Sequence, residues 1–443
     1  MTTDATGLGA IARVTRPFDQ ADGLLSRLEA AVEPFLRRYD VGVDPRSVRD
    51  YMRRARVYLE ALGAEIREAA RDSPNPDGSD PLRYVHRDRI TTRIVGSALI
   101  TAGYEHRMDP SKRMDAYRCQ ALLEAIQDVL DDVLDDGGYT FEQARNLFQL
   151  CSERETGRAV DDADVTAALV RALRPEHRAA APILAALSIC LAKRLRASAR
   201  SPDLEAEMAR EFDAIADAQS ATVFLRRESF DLHAMREHVG HLWSPDAGAD
   251  WSDRIAGHSA WVGYLSLIDL CFVRVPPSRA ELDAHRAAWH DMNLAMSFFD
   301  HVAGIEKDFD DGVLNFAAAL VAEAHGLENP AALSWNRSEL EAIIRRASRG
   351  AARGIACAGE HLDHEAGFYP MLAAVSAVVL APQGKGGVTW CLPMFLEGLG
   401  RSARRDSTRD QEVITTGETG LSRFPTPLDI HSTGLLAGRT AFS

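Results

Sequence analysis

The chain has 443 residues, of which 46% are hydrophobic and 26% charged, and its formal net charge is -14. That length holds one large helical domain or two smaller ones with a sizeable core, and the composition is that of ordinary globular proteins. The acidic balance argues against a nucleic-acid backbone as the main partner, which would need basic surface, but it permits a small anionic ligand held by cations or a local arginine cluster.

From the N-terminus, residues 1–20 show no strong periodicity and no apolar signal-peptide core, so a flexible segment is expected there. Residues 21–400 read as one all-α bundle without internal repeats. Alanine, leucine, arginine and glutamate dominate, and no run of alternating β-branched residues stands out. Helices are expected over 47–71, 89–104, 112–136, 140–155, 162–173, 178–197 and 203–226, with a loop at 72–81 ("DSPNPDGSDP"). They continue over 229–241, 253–273, 279–321, 336–362, 367–381 and 387–399, with breaks at "SPDAGAD" (244–250) and "VPPS" (275–278). The apolar runs at 181–192 and 371–381 are shorter than the roughly 20 residues that span a bilayer, so core helices and no membrane span are expected. Cys119, Cys151, Cys190, Cys271, Cys357 and Cys391 form no CxxC pair, which argues against a zinc knuckle or a disulfide framework and fits a reduced, cytoplasmic setting. Residues 401–443, rich in Arg, Ser, Thr and Gly, read as a disordered tail or a lid that orders on binding.

The stretch "QDVLDDVLDDGG" (127–138) concentrates acids at the end of an otherwise apolar helix. Asp128, Asp131, Asp132 and Asp135 share one stripe, while Ile126, Val129, Leu130 and Val133 point into a core. One reading is a solvated acidic face. The other is a cation site. Clustered carboxylates repel one another and oppose the helix dipole at its C-terminal end, and Mg²⁺ takes oxygen ligands shared with phosphate.

A second acidic stretch, "FFDHVAGIEKDFDDGVLNF" (298–316), spaces Asp300, Gly304 and Asp308 four apart, along ~12 Å of one helix face. Together the two stretches resemble the class I terpene synthases. "DDVLD" (131–135) matches their DDxxD motif, and "DHVAGIEKD" followed by "FDDGVLN" follows the framework of their second motif, (N/D)DxxSxxxE. Three positions depart from that pattern: His301 replaces the second acid, Gly304 the usual Ser or Thr, and Asp308 the usual Glu. A competing register would use Asn293, Ser297 and His301, but a histidine in the last place suits Mg²⁺ poorly. Lys307, Gly312 and Asn315 favour the Asp300 register.

The resemblance covers about residues 90–405 and implies the class I terpenoid synthase fold. It also implies a small-molecule prenyl diphosphate substrate and three Mg²⁺ ions, with Mn²⁺ as an alternative. The metal ligands would be Asp131, Asp132, Asp135, Asp300 and Asp308. Arg254 lies 46 residues before Asp300, where the family has a diphosphate-sensing arginine on a helix that then breaks, so the break and linker position would fall at Gly257 and the effector carbonyl at His258. Arg254 and Lys307 would act on the departing diphosphate. No Arg-Tyr pair follows Trp390, so Arg401, or Arg404 and Arg405, would substitute for it. The pocket wall would include Phe224, Trp261, Tyr264, Phe298, Phe299 and Trp390, although helix aromatics are more often core. The resemblance makes a homodimer one option for assembly. The implied reaction is loss of diphosphate followed by carbocation cyclisation. Two rivals are a chain-elongating prenyl diphosphate synthase, which would need a second DDxxD, and a non-catalytic helical scaffold of degenerate synthase origin.

Overall fold

The computed structural model describes residues 46, 49–58, 87–135, 138–152, 162–198, 200–327, 333–362, 368–380 and 391–399. Among these, the fold is all-α, about 80% helical, with two isolated antiparallel bridges and no strand. The expected N-terminal segment, the 72–81 loop, Trp390, Arg401, Arg404, Arg405 and the tail lie outside the described residues.

Helix α1 is Arg87–Tyr104 and α2 is Arg113–Asp135. Then come α3 (Phe141–Leu150), α4 (Asp162–Ala172), α5 (Ala181–Arg196), α6 (Pro202–Ser220) and α7 (Leu232–Val239). The second half holds α8 (Trp251–Ser259), α9 (Val262–Leu270), α10 (Arg279–Asp310), α11 (Phe316–Ala324), α12 (Arg337–His361) and α13 (Phe368–Leu380). Residues 49–58 and 391–399 are also helical. Local chemistry sets many starts. Thr140 with Gln143, and Asn336 with Glu339, form capping boxes, while Ser201, Asp231, Asp250, Ser278 and Asn315 accept from first-turn amides. Each such cap stabilises its helix by about 1 kcal/mol.

Two expected helices divide, each for a physical reason. The 253–273 segment breaks at Ala260, whose backbone is extended, and not at Gly257. Gly257 is helical, and its lack of a Cβ is what lets α10 approach so closely: a Cβ there would sit 2.1 Å from His290 Nε2. The 279–321 segment divides after Asp310, where Gly312 takes a left-handed φ of 84°. A residue with a Cβ is strained in that conformation. The 203–226 helix likewise ends at Ser220 and tightens into a 3₁₀ turn, Ala221–Leu225.

The 32-residue α10, about 48 Å long, is the central element and packs against α12, α8, α11, α13 and α9. Helix α2 packs on α5 and α1. Phe298, Phe299, Val302 and Ile305 of α10 are fully buried, as are Ile126, Val129, Leu130 and Val133 of α2. These are the apolar positions that the two acidic stretches carry between their aspartates. No helix among the described residues is long and apolar enough to cross a membrane. The six cysteines form no disulfide with one another.

Candidate functional site

The C-terminal ends of α2 and α10 line one cavity of about 610 Å³, within the range of roughly 300–1,000 Å³ typical of small-molecule sites. Helix α2 contributes Glu124, Gln127, Asp131 and Asp135 at three- and four-residue steps, one face over about 16 Å. Helix α10 and the turn after it contribute Met296, Ser297, Asp300, His301, Lys307, Asp308 and Asp311. The apolar wall comes from Leu99 and Ile100 of α1, Trp261 at the α8–α9 break, Leu265 of α9, Phe316 of α11 and Leu372 and Val375 of α13.

The two acidic ends are therefore brought together, as the motif reading requires, but not every residue arrives. Asp131, Asp135, Asp300, Asp308 and Lys307 line the cavity, whereas Asp132 is half-buried and off the lining. Asp308 accepts a 2.8 Å hydrogen bond from Asn315 Nδ2, whose amide also donates to His301 O at 2.8 Å, while Asn315 Oδ1 caps α11 through Ala318 N. The asparagine that follows the second motif thus anchors Asp308 to the start of the next helix. Lys307 Nζ lies 3.9 Å from Asp308 and 3.3 Å from Asp311.

Charge is unevenly matched here. Six lining carboxyls (Glu124, Asp131, Asp135, Asp300, Asp308, Asp311) face three lining cations, Arg93, Arg226 and Lys307. Both helices also present their partially negative C-terminal ends. Asp131 is paired with Arg93, and Asp135 lies 3.7 Å from Arg226. Asp300 makes neither a hydrogen bond nor an ion pair with any described residue. Burial pushes its carboxyl up to about 7 and the charge of Asp308 adds to this, while Arg93 and Lys307 oppose it. Burial likewise raises Glu124 to about 7, against Arg93 and the Ser97 hydroxyl.

No three His, Cys, Asp or Glu side chains among the described residues close into a metal cage. The donor set nonetheless fits a hard divalent cation. The lining supplies hard oxygen donors, one of them, Asp300, without an ion pair to any described residue. Mg²⁺ is commonly held by one or two carboxylates, its other places filled by water and phosphate oxygens.

Several expected roles move. Arg254 is off the lining and donates to Leu242 O. It lies five residues, about 7.5 Å, before Ser259, where α8 reaches the cavity. Gly257 and His258 are also off the lining. The His258 ring is buried between Glu211 Oε1 (3.3 Å) and Trp243 O (3.0 Å), and the lining backbone falls at Ser259–Trp261. The competing register has its own explanation. Asn293 Nδ2 donates to Gly257 O and Ser297 Oγ to Ala256 O, so both hold the end of α8. His301 Nδ1 accepts from Phe316 N at 3.1 Å and burial lowers the ring to about 4, so it stays neutral with that nitrogen engaged.

Of the expected wall aromatics among the described residues, only Trp261 is on the lining. Phe224 packs against Phe141 and His238, Phe298 lies under Arg346, Phe299 meets Phe395, and Tyr264 meets Phe212. Sequence reasoning missed Phe316, Arg93 and Arg226. Arg226 donates 2.8 Å to Leu134 O at the end of α2, and its backbone segment pairs with the turn after α10 (Leu314 N to Leu225 O, 2.7 Å). It brackets the two acidic ends together. No protein-family model matches this chain, and a search of curated proteins returns no match.

Proposed function

We propose that the chain is a divergent class I terpene synthase that ionises a prenyl diphosphate with the help of Mg²⁺ and lets the resulting carbocation cyclise. The observation that carries this reading is Asp300, a carboxyl with no hydrogen bond or ion pair to any described residue, on the same cavity lining as Asp131. Asp131 and Asp135 on one side, and Asp300 and Asp308 on the other, would hold the metal. When bound, it would supply Lewis-acid stabilisation of the departing diphosphate. Lys307 places a further positive charge beside Asp308. Asn315 fixes the Asp308 carboxylate, which removes a reorganisation cost when charge develops. Leu99, Ile100, Leu265, Leu372 and Val375 exclude water that would quench a cation, and Trp261 and Phe316 offer ring faces to it.

A second reading is a non-catalytic scaffold, and the arginines on Asp131 and Asp135 favour it, because they neutralise the first motif internally. Diphosphate release from geranyl, farnesyl and geranylgeranyl diphosphate, measured with Mg²⁺ and again with a chelator, separates the two. Metal-dependent release from at least one substrate, with a cyclic product, is expected. Release from none of the three would overturn the enzyme reading in favour of the scaffold. Adding isopentenyl diphosphate tests the elongation alternative through the length of the product.

A further inference from the structure

We propose that Arg93 is a resting-state stand-in for the metal at Asp131, and that it transfers to the diphosphate when metal and ligand arrive together. This deepens the proposed function and rests on it. Arg93 stands on α1, outside both acidic motifs, and lines the cavity. Its Nη2 donates to Asp131 Oδ2, the one hydrogen bond it makes with any described residue. Its Nη1 is buried, hydrogen-bonds no described residue and stands 4.0 Å from Glu124 Oε2. A guanidinium carries five N–H donors in a planar fork suited to paired phosphate oxygens. In its resting position Nη1 is unused, so leaving Asp131 gives up one hydrogen bond and its ion pair.

The surroundings fix the direction of the exchange. A guanidinium is charged at any working pH, and this one is paired with Asp131 and stands 4.0 Å from Glu124. A bare divalent ion must then compete with a cation already seated on Asp131. A metal accompanied by diphosphate offers the displaced arginine a new anionic partner. Metal and diphosphate should therefore bind cooperatively, and Arg93 is the residue that couples them. Arg226 is not equivalent, since its hydrogen bond to Leu134 O ties it to the backbone of α2.

The test uses the full chain with Mn²⁺ alone, followed by electron paramagnetic resonance, and with inorganic diphosphate in saturating Mn²⁺, followed by calorimetry. For Arg93→Gln, Mn²⁺ alone should bind about tenfold tighter than in the wild type and diphosphate about tenfold weaker, the scale of one charge-assisted hydrogen bond. Opposite signs are the signature, because a merely structural arginine would move both affinities the same way. Parallel weakening, or no change in either, overturns the exchange and leaves the enzyme reading standing. A wild-type chain that binds neither Mn²⁺ nor diphosphate overturns both. If Arg93→Gln does not fold, Arg93→Lys carries the test. It keeps the charge but loses the fork, so diphosphate should weaken while Mn²⁺ alone does not, and a parallel loss counts against the exchange.

Discussion

The ends of α2 and α10 meet at one cavity and handle their acids in opposite ways. On α2 both lining aspartates sit near an arginine, Arg93 at Asp131 and Arg226 at Asp135. On α10, Asp308 is held by Asn315 and faces Lys307 at 3.9 Å, while Asp300 has no hydrogen bond or ion pair to any described residue and its carboxyl is pushed up to about 7 by burial. Ion pairing satisfies the first end within the protein, whereas the second keeps an unpaid electrostatic debt. A half-buried carboxylate with no ion pair to any described residue is disfavoured in its ionised form, and a bound cation would relieve that.

The sharpest way to break this comparison is to neutralise one acid on each side. Asp131→Asn and Asp300→Asn should each reduce diphosphate release by at least about 100-fold, some 2.7 kcal/mol of transition-state stabilisation. Undiminished turnover in both would remove the metal assignment. Stability in metal-free buffer should then separate the two ends. Asp131→Asn takes the counter-ion from Arg93 and should cost about 2 kcal/mol of unfolding free energy. Asp300→Asn removes an uncompensated charge and should not destabilise at pH 8. Urea unfolding of both variants measures the difference, and equal losses would show that the two ends are not distinct.

Much of this site was legible in the sequence because its signals are local. The acids recur at helical spacing between buried apolar residues, and Gly312 and Asn315 mark the turn and cap that follow. Arg93 was not legible, since its partner lies 38 residues away and nothing in its neighbourhood distinguishes it from other helix arginines. Arg226 reaches across 92 residues to Leu134. The placement of Phe298 and Phe299, by contrast, could have been read. A helix turns about 100° per residue, so once Asp300 faces the cavity, residues one and two earlier point about 100° and 200° away from it. Met296, Ser297, Asp300 and His301 share the lining face, and the two phenylalanines face the core. Arg254 was misplaced for a related reason. Its position was counted from Asp300 through a helix break assumed at Gly257, and the break falls at Ala260.

Glu124 extends the comparison to pH. Its carboxyl is raised from 4.5 to about 7 in the folded protein, chiefly by burial. Between those values the native state keeps a proton that the unfolded chain has released. The stabilising contribution is therefore complete below about pH 4.5, is lost as pH rises to about 7, and is flat above that. Glu124→Gln, which keeps an acceptor for Ser97 Oγ, should flatten this decline and be more stable than wild type at pH 8, on the order of 2 kcal/mol. Unfolding free energies at pH 5 and pH 8 check it, and an unchanged slope would mean that Glu124 is ionised at little cost.

The smallest expected effect concerns Gly304, where the family resemblance calls for a hydroxyl. A Cβ built there would meet Asp308 Oδ2 at 3.2 Å, a tight but side-chain-only contact. Asp308 is anchored by Asn315, so the carboxylate must yield by a few tenths of an ångström. A serine at this position also replaces a mid-helix glycine, a gain of about 0.5 kcal/mol in helix propensity. Its oxygen would stand one helical turn from both Asp300 and Asp308, beside the carboxyl that has no hydrogen bond or ion pair to any described residue. Gly304→Ser should therefore tighten Mn²⁺ binding about threefold, or ~0.7 kcal/mol, without loss of stability. Weaker binding would mean that crowding of Asp308 outweighs the added oxygen, and that the glycine is matched to the shorter acid at Asp308.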